Sequence, residues 1–207
     1  MQLKSVLFDL DGVLVDSEGV YTDFWSEVDR VYPTGVEGFA LKIKGSTLPT
    51  ILNTYFPEEY HPDILKRLER LEHEMDYRLF PGVERLLGEL RRAGITVAIV
   101  TSSNRPKMDH LFNSIPLFNS HVDTLVTDED VTESKPSPQG YLIGASRLSS
   151  SPASCVVVED SLAGLRAGRA SGAVVVGLTT TNPREAVEPL ADCVLPDASH
   201  ITINLLN

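Results

Sequence analysis

The stretch that decides the fold is Val6-Leu7-Phe8-Asp9-Leu10-Asp11-Gly12-Val13-Leu14-Val15-Asp16-Ser17, near the start of the chain. A short apolar run ends there in two carboxylates, Asp9 and Asp11, spaced two residues apart. A strand that is apolar along its whole length indicates burial on both faces, as in a parallel sheet. Parallel sheets bind their ligands beyond the carboxyl ends of the strands. We therefore expect Asp9 at a reacting centre and Asp11 on the loop beside it, although two surface acids at a strand end would give the same pattern.

Four further apolar runs follow the same design, at residues 95–100, 122–126, 155–158 and 173–178. Helical patterns separate most of them, at residues 83–93, 107–112, 138–148 and 162–170. Alternating strands and helices predict an α/β fold, in which a Rossmann-like parallel sheet is flanked by helices on both faces.

The region between the first and second predicted strands breaks this alternation, because it contains no strand-like run. Its apolar spacing predicts helices over about 17–31, 38–43, 48–55 and 62–78, with Leu65, Leu68, Leu71 and Met75 on one side of the last helix. We interpret it as a small all-helical cap domain inserted into the core. The predicted boundaries are 1–16 and 79–207 for the core and 17–78 for the cap.

Hydroxyl residues follow the second strand, where Thr101 and Ser102 precede a predicted helix. Hydroxyls and backbone N–H groups at a helix N-terminus suit a phosphate group. An ordinary helix cap formed by Ser103 or Asn104 explains the same residues.

A lysine and a second pair of acids complete the polar strand ends. Lys135 lies directly before a Pro-Ser-Pro sequence, on a stiff loop, where a solvated lysine is the simple alternative. Glu159 and Asp160 end the run at 155–158. Mg²⁺ is usually held by one or two carboxylates together with substrate phosphate, but acids at the start of the following helix are also favourable without a metal.

Taken in order, these segments resemble the haloacid dehalogenase superfamily of phosphohydrolases. The DxDGxxxDS motif of that family matches Asp9 to Ser17 in full, its Thr/Ser motif matches Thr101, its lysine matches Lys135, and its acidic pair before Ser matches Glu159-Asp160. The resemblance covers about residues 3–16 and 79–195.

The resemblance implies the roles of the core residues. Asp9 is expected to be the nucleophile that forms an aspartyl-phosphate, and Asp11 the general acid for the leaving group and then the base for water. Thr101, Ser102 and Lys135 are expected to hold the phosphoryl group.

The same resemblance implies Mg²⁺ as the cofactor. Its expected ligands are Asp9, the Asp11 carbonyl and Asp160, with Glu159 nearby or coordinating. The cation would offset the repulsion between a phosphate and this group of carboxylates.

The position of the cap resembles the helical-cap branch, which contains phosphoglycolate and sugar phosphatases and β-phosphoglucomutase. Lys44, Ser46 and Trp25 match places where that branch contacts substrate, although a solvated loop and cap packing are the alternatives. Tyr21 stands where β-phosphoglucomutase carries a histidine. The resemblance therefore predicts a Mg²⁺-dependent phosphatase for a small phosphorylated metabolite, with a sugar phosphomutase and an inactive binding module as alternatives.

The charge balance excludes other classes of partner. Lys and Arg total 18 and Asp and Glu total 29, for a formal net charge of −11, which argues against nucleic-acid binding and against docking on anionic membranes. No run approaches the length of a membrane span, and residues 1–5 do not read as a signal peptide. Cys155 and Cys193 are expected to be buried and reduced, as in a cytoplasmic protein, and we expect a monomer.

Overall fold

The centre of the fold is a parallel sheet of six strands, seen in a computed structural model that describes residues 3–206. The strands are β1 (Ser5–Phe8), β2 (Thr96–Val100), β3 (Thr124–Val126), β4 (Cys155–Glu159), β5 (Val174–Leu178) and β6 (Cys193–Leu195). Their order across the sheet is β3-β2-β1-β4-β5-β6, and every pairing is parallel. The predicted Rossmann-like α/β class is confirmed. Strands β2 and β3 lie on one side of β1, and β4, β5 and β6 lie on the other. Folds of this kind bind ligands at the point where the strand order changes direction.

The segment between β1 and residue 75 contributes four α-helices and no strand of the sheet. They are α1 (Glu18–Val31), α2 (Phe39–Lys42), α3 (Leu48–Tyr55) and α4 (His61–Glu74), and we call these four helices the cap. The cap has a small apolar core of its own, built around Trp25, Phe39, Phe56 and Ile64. This separate core explains how the cap can pack as a unit above the sheet.

Helices cover both faces of the sheet. Neighbouring residues of each strand point to opposite faces, so that Phe8 joins one apolar cluster and Leu7 the other. The first face packs against α5 (Val83–Arg92), α6 (Arg105–Ser114), α7 (Leu117–His121) and α11 (Ile203–Leu206); the second packs against α8 (Gln139–Arg147), α9 (Leu162–Ser171) and α10 (Arg184–Val187).

The last cap helix departs from the prediction. It ends at Glu74 rather than at 78, because Met75 is extended and begins the return to the core. Its buried positions are Ile64 and Leu68, whereas Leu65 is 42 % exposed. The expected apolar side is therefore right for Leu68, Leu71 and Met75, which are buried or half-buried, and wrong for Leu65, in whose place Ile64 is buried.

Several short elements were missed in the sequence, among them β6 and α7. Strand β6 is three residues long and only half-buried, and α7 has five residues, so neither leaves a clear periodic pattern. Cys155 is buried as expected, whereas Cys193 lies in β6 and is half-buried; both are free thiols.

Two chain segments side by side join the cap to the core. Val15 forms an antiparallel bridge with Leu79. The Asp16 N–H donates to the Arg78 carbonyl at 2.8 Å, and the Phe80 N–H donates to the Leu14 carbonyl at 3.0 Å. Over residues 3–206, no helix is long and apolar enough to cross a membrane; residues 1 and 2, on which the signal-peptide expectation partly depends, lie outside the described residues.

Candidate active site

Three neighbouring strands deliver polar residues to one edge of the sheet. Asp9 follows β1, Thr101 follows β2, and Glu159 ends β4. Phe8 is in register with Ile99 on one side and Val158 on the other, so these strands end level with one another. The parallel arrangement therefore brings together side chains that are far apart in the sequence.

Lys135 lies between two of these carboxylates. Its Nζ is 2.5 Å from Asp9 Oδ1 and 2.6 Å from Glu159 Oε1, and it also donates to the Val100 carbonyl at 3.3 Å. Burial alone would lower the pKa of Lys135, but Asp9 and Glu159 outweigh it and raise the pKa well above its ordinary value. The lysine is therefore a permanent positive charge beside Asp9.

Glu159 is fully buried and its two oxygens receive five donors. Lys135 Nζ and the Tyr141 hydroxyl, at 3.0 Å, donate to Oε1. The N–H groups of Asp160 and Ser161, both at 2.8 Å, and the Ser161 hydroxyl, at 3.0 Å, donate to Oε2. A carboxylate offers about four acceptor positions, so these contacts fix Glu159 firmly against Lys135.

The loop after β5 holds Asp160, and the sequence reasoning missed it. The Thr181 hydroxyl donates to Asp160 Oδ2, and Asn182 Nδ2 donates to the Asp160 carbonyl at 2.9 Å. The Thr180 hydroxyl donates to the Gly12 carbonyl at 2.6 Å. A signal existed, because these polar residues follow an apolar strand in the same way as Thr101 follows β2.

Two glycines make room for the acids. Gly12 has a φ of +80°, and a Cβ there would lie 2.0 Å from Asp160 Oδ2. At Gly164, in the first turn of α9, a Cβ would lie 1.6 Å from Glu159 Oε1. Both carboxylates are therefore packed directly against backbone.

The acids at this edge carry more negative charge than the neighbouring lysine offsets. Asp9, Glu159 and Asp160 each offer an oxygen within 4.8 Å of the other two. Burial raises the pKa of Asp9 to about 7, against the effect of Lys135, and burial together with Glu159 and Asp9 raises the pKa of Asp160 well above its ordinary value. Hard oxygen donors in a site of excess negative charge fit a divalent cation such as Mg²⁺.

Asp11 has a separate set of partners. Ser17 donates to its Oδ1, and Oδ2 accepts from Ser103 Oγ at 3.2 Å and from Lys107 Nζ at 2.7 Å. Burial would raise the pKa of Asp11, but Lys107 and the hydroxyls outweigh it and lower the pKa. Lys107 did not stand out in the sequence, because it looks like an ordinary polar residue in the first turn of a helix.

Between the cap and the core lies a cavity of about 120 Å³, and the predicted cap residues Tyr21, Trp25, Lys44 and Ser46 all line it. Asp9, Asp11, Thr101, Ser102 and Asp160 form the opposite wall. Lys135 does not line the cavity, but it contacts Asp9, which does. The structure thus brings the expected core and cap residues around one space.

The cap residues serve packing as well as lining the cavity. Trp25 is 7 % exposed and contacts Phe24, Phe39 and Phe56, with ring centroids at 5.1, 6.2 and 6.4 Å. Lys44 forms an ion pair with Glu18 at the start of α1. Both alternatives raised for Trp25, cavity and packing, therefore hold at once.

Two contacts close the cap onto the core. The Ser102 hydroxyl donates to the Gly45 carbonyl at 2.9 Å, and the hydroxyls of Thr50 and Ser134 lie 3.3 Å apart. Ser102 therefore meets the cap through its side chain. Thr101 Oγ1 accepts from the Ser103 N–H at 3.1 Å, which fixes the threonine at the cavity wall.

A family model described as haloacid dehalogenase-like hydrolase matches residues 6–178, which is most of the chain. The chain belongs to this family of hydrolases. The matched region runs from β1 through the cap to the end of β5, and so contains every strand end described above.

Named relatives of this hydrolase act on phosphates. Hexitol phosphatase A of Escherichia coli (strain K12) is 34 % identical over 98 % of this chain and 95 % of its own length. The β-phosphoglucomutase of Bacillus subtilis (strain 168) is 28 % identical over 99 % of this chain and 94 % of its own.

A solved structure shares the fold of the hydrolase from end to end. CbbY from Rhodobacter sphaeroides, solved as a mutant in complex with xylulose-(1,5)bisphosphate, matches with a TM-score of 0.82 over the full length of both chains, at 22 % identity. This similarity shows that the two chains share a fold.

Proposed function

We propose that this hydrolase is a Mg²⁺-dependent phosphatase that acts on a small phosphorylated metabolite, a sugar or polyol phosphate. The observation that carries the proposal is the placement of Asp9 with Lys135 on one side and Asp11 at the same cavity. A nucleophile, a fixed cation and a second carboxylate with its own partners are the groups that phosphoryl transfer through a protein carboxylate needs.

The proposed reaction has two steps. An Asp9 carboxylate oxygen attacks phosphorus, the bond to the leaving oxygen breaks, and Asp11 gives that oxygen a proton, which leaves an aspartyl-phosphate and an alcohol. Water then attacks the phosphorus and loses a proton to Asp11, which releases inorganic phosphate and restores Asp9. Each proton that Asp11 gives in the first step is returned in the second.

The phosphoryl group would be held from the core side. Thr101 and Ser102 line the cavity together with Asp9, and in this proposal the Thr101 hydroxyl and the Ser102 N–H hold the phosphoryl oxygens while Lys135 offsets charge on Asp9 and the phosphoryl group. Asp9, Asp160 and the Asp11 carbonyl would bind Mg²⁺, which when bound neutralises phosphate charge and orients the group for attack. Glu159 would border the ion and keep Lys135 in place, because its own oxygens already accept five hydrogen bonds.

The charges that line the cavity favour a substrate with one phosphate, and therefore a hydrolase rather than a mutase. Among the described residues that line it, the cations are Lys44 and Lys107, and each has a carboxylate partner, Glu18 and Asp11. A mutase that moves a phosphate between two hydroxyls must hold a second phosphate at the far end of its substrate. An unpaired cation there would favour that anion, whereas Glu18 and Glu72 in the same wall oppose it.

The experiment is a measurement of phosphate release from a hexitol phosphate, a hexose 6-phosphate and a hexose 1-phosphate, with Mg²⁺ and with a chelator. We expect Mg²⁺-dependent release that Asp9→Asn abolishes, while the exposed Asp23→Asn in α1 serves as the matched control. Turnover that persists in Asp9→Asn would contradict the proposal. Isomerised hexose phosphate without free phosphate would show a mutase instead, and a protein that turns over none of these compounds would be a binding module.

A further inference from the structure

Lys107 is a buried cation that the proposed reaction does not use. It lies at the third position of α6 and is 4 % exposed. Its Nζ donates to Asp11 Oδ2 at 2.7 Å and to Ser103 Oγ at 2.9 Å, and Ser103 donates in turn to the same oxygen of Asp11. The lysine therefore forms a closed triangle of hydrogen bonds around one carboxylate oxygen.

Packing stability does not explain a lysine at this place. The first turn of a helix has unpaired N–H groups and a positive dipole end, which disfavour a cation. A buried ion pair is often no more stable than apolar side chains of the same size. A methionine at 107 would fill a similar volume but would leave the Asp11 carboxylate without its cation, so the charge of the lysine is explained by Asp11 rather than by packing.

The cap covers the same ammonium group from the opposite side. The ring of Tyr21, in α1, lies over Lys107 Nζ, with 4.4 Å between Nζ and the ring centroid. The Tyr21 hydroxyl donates to Glu72 Oε1, in α4, at 3.0 Å. Two cap helices are therefore joined to each other and to Lys107, and through Lys107 to Asp11.

The first turn of α6 fixes the lysine rigidly. Asn104 caps the helix, and its Oδ1 accepts from the Lys107 N–H at 2.9 Å. The backbone of Lys107 is therefore anchored beside Ser103, and its side chain spans from the core helix to Asp11.

We infer that Lys107 is a positioning residue that holds the Asp11 carboxylate at the leaving oxygen and links that position to closure of the cap. When α1 lies over the core, the Tyr21 ring and Asp11 enclose the Lys107 ammonium. The ammonium then fixes the position of the Asp11 carboxylate. If the cap opens, the ring is withdrawn and Lys107 Nζ keeps only its core partners, Asp11 and Ser103. This inference rests on the proposed function, because it assigns a task to the proposed acid.

The inference predicts a dependence on the leaving group. An alcohol such as a hexitol needs a proton as its bond to phosphorus breaks, whereas p-nitrophenolate leaves without one. General acid catalysis contributes about 10²–10⁴-fold in rate. In Lys107→Met we therefore expect kcat/KM for a hexitol phosphate to fall about 100-fold, and kcat/KM for p-nitrophenyl phosphate to fall less than about fivefold.

The design includes controls on the same helix and on the cap. Lys107→Arg, which keeps the charge, is expected to recover at least about tenfold of the loss on the hexitol phosphate, and Arg105→Met, at an exposed position of α6, is expected to have no effect. Tyr21→Leu, which removes the ring, should reproduce the selective loss in weaker form. Thermal unfolding of each variant is measured alongside.

The outcomes separate this inference from the proposed function. Equal losses on both substrates in Lys107→Met, or unchanged activity on the hexitol phosphate, would overturn the role of Lys107 while wild-type turnover still supports a phosphatase. If Lys107→Met does not fold, the comparison of the two substrates in Lys107→Arg and Tyr21→Leu decides the same question. A wild-type protein that hydrolyses neither substrate would instead overturn the proposed function.

Discussion

Gly12→Ala tests whether the loop after β1 sets the position of Asp160. The backbone at Gly12 has a φ of +80°, and the new Cβ would lie 2.0 Å from Asp160 Oδ2 and 2.7 Å from its Cγ. Ordinary contact begins near 3.4 Å, so the carboxylate must retreat by about 1.4 Å. The Thr181 hydroxyl, which donates to that carboxylate, opposes the movement, and Asn182 holds the Asp160 backbone through its carbonyl.

The chain contains a matched control for the backbone cost. Gly94 has a φ of +70°, and a Cβ there would meet no atom within 4 Å. A left-handed conformation costs an L-residue about 1–2 kcal/mol, so both alanine variants should lose stability. For a chain of this size, each kcal/mol lowers the Tm by about 2–4 °C. Gly94→Ala should show this loss alone.

Activity then separates the two variants. A displacement of about 1 Å in a positioned group can cost about 100-fold in rate. We expect kcat/KM of Gly12→Ala to fall by about that factor, with half-saturation at a higher Mg²⁺ concentration, while Gly94→Ala keeps the wild-type values. The reasoning is refuted if Gly12→Ala stays within about threefold of Gly94→Ala across a Mg²⁺ titration.

Other substitutions test the charges away from that loop. Tyr141→Phe removes a donor from buried Glu159; because hydrogen bonds to charged groups contribute about 1.5–3 kcal/mol, the Tm should fall by several degrees, and an unchanged Tm would contradict this. Burial raises the pKa of half-buried Asp128 from 3.8 to about 7. Between these two values the folded protein binds more protons than the unfolded chain, so its stability falls as the pH rises. Asp128→Asn should remove that loss of stability, which is on the order of 1 kcal/mol after solvent screening. If the stability difference between pH 5 and pH 8 is the same in the wild-type protein and in Asp128→Asn, this prediction is wrong. Lys44→Met leaves the Glu18 carboxylate without its cation and should lower the free energy of unfolding by about 3 kcal/mol. The double variant Lys44→Met, Glu18→Gln should recover most of that loss in urea unfolding.

The sequence was most informative where the polypeptide geometry is regular. Asp9, Thr101 and Glu159 each follow a continuous apolar run, and parallel pairing requires such runs to end at one edge of the sheet. The cap helices followed from apolar spacing, and α3 has the predicted bounds of 48–55. The position of each strand end was therefore predictable without knowing any contact between them.

Contacts between distant segments were not predictable in this way. Lys107 and Asp11 are 96 residues apart, and neither the spacing nor the composition of the first turn of α6 points to the pair. Thr181 binds Asp160 from the loop after β5, and the polar residues that follow that strand were not recognised as part of the site. In α4 the first buried position was misassigned to Leu65 rather than Ile64, because the residue that meets the cap core depends on the neighbouring cap helices and not on the helix alone.

The paired segments at Val15 and Leu79 have a consequence for how such proteins can change over time. The chain leaves the core and returns to it at two points already joined by hydrogen bonds. A short turn between those points would close the core without moving any strand of the sheet. We therefore expect that the four cap helices can be shortened or replaced while the loops that carry Asp9 and Asp160 stay in place.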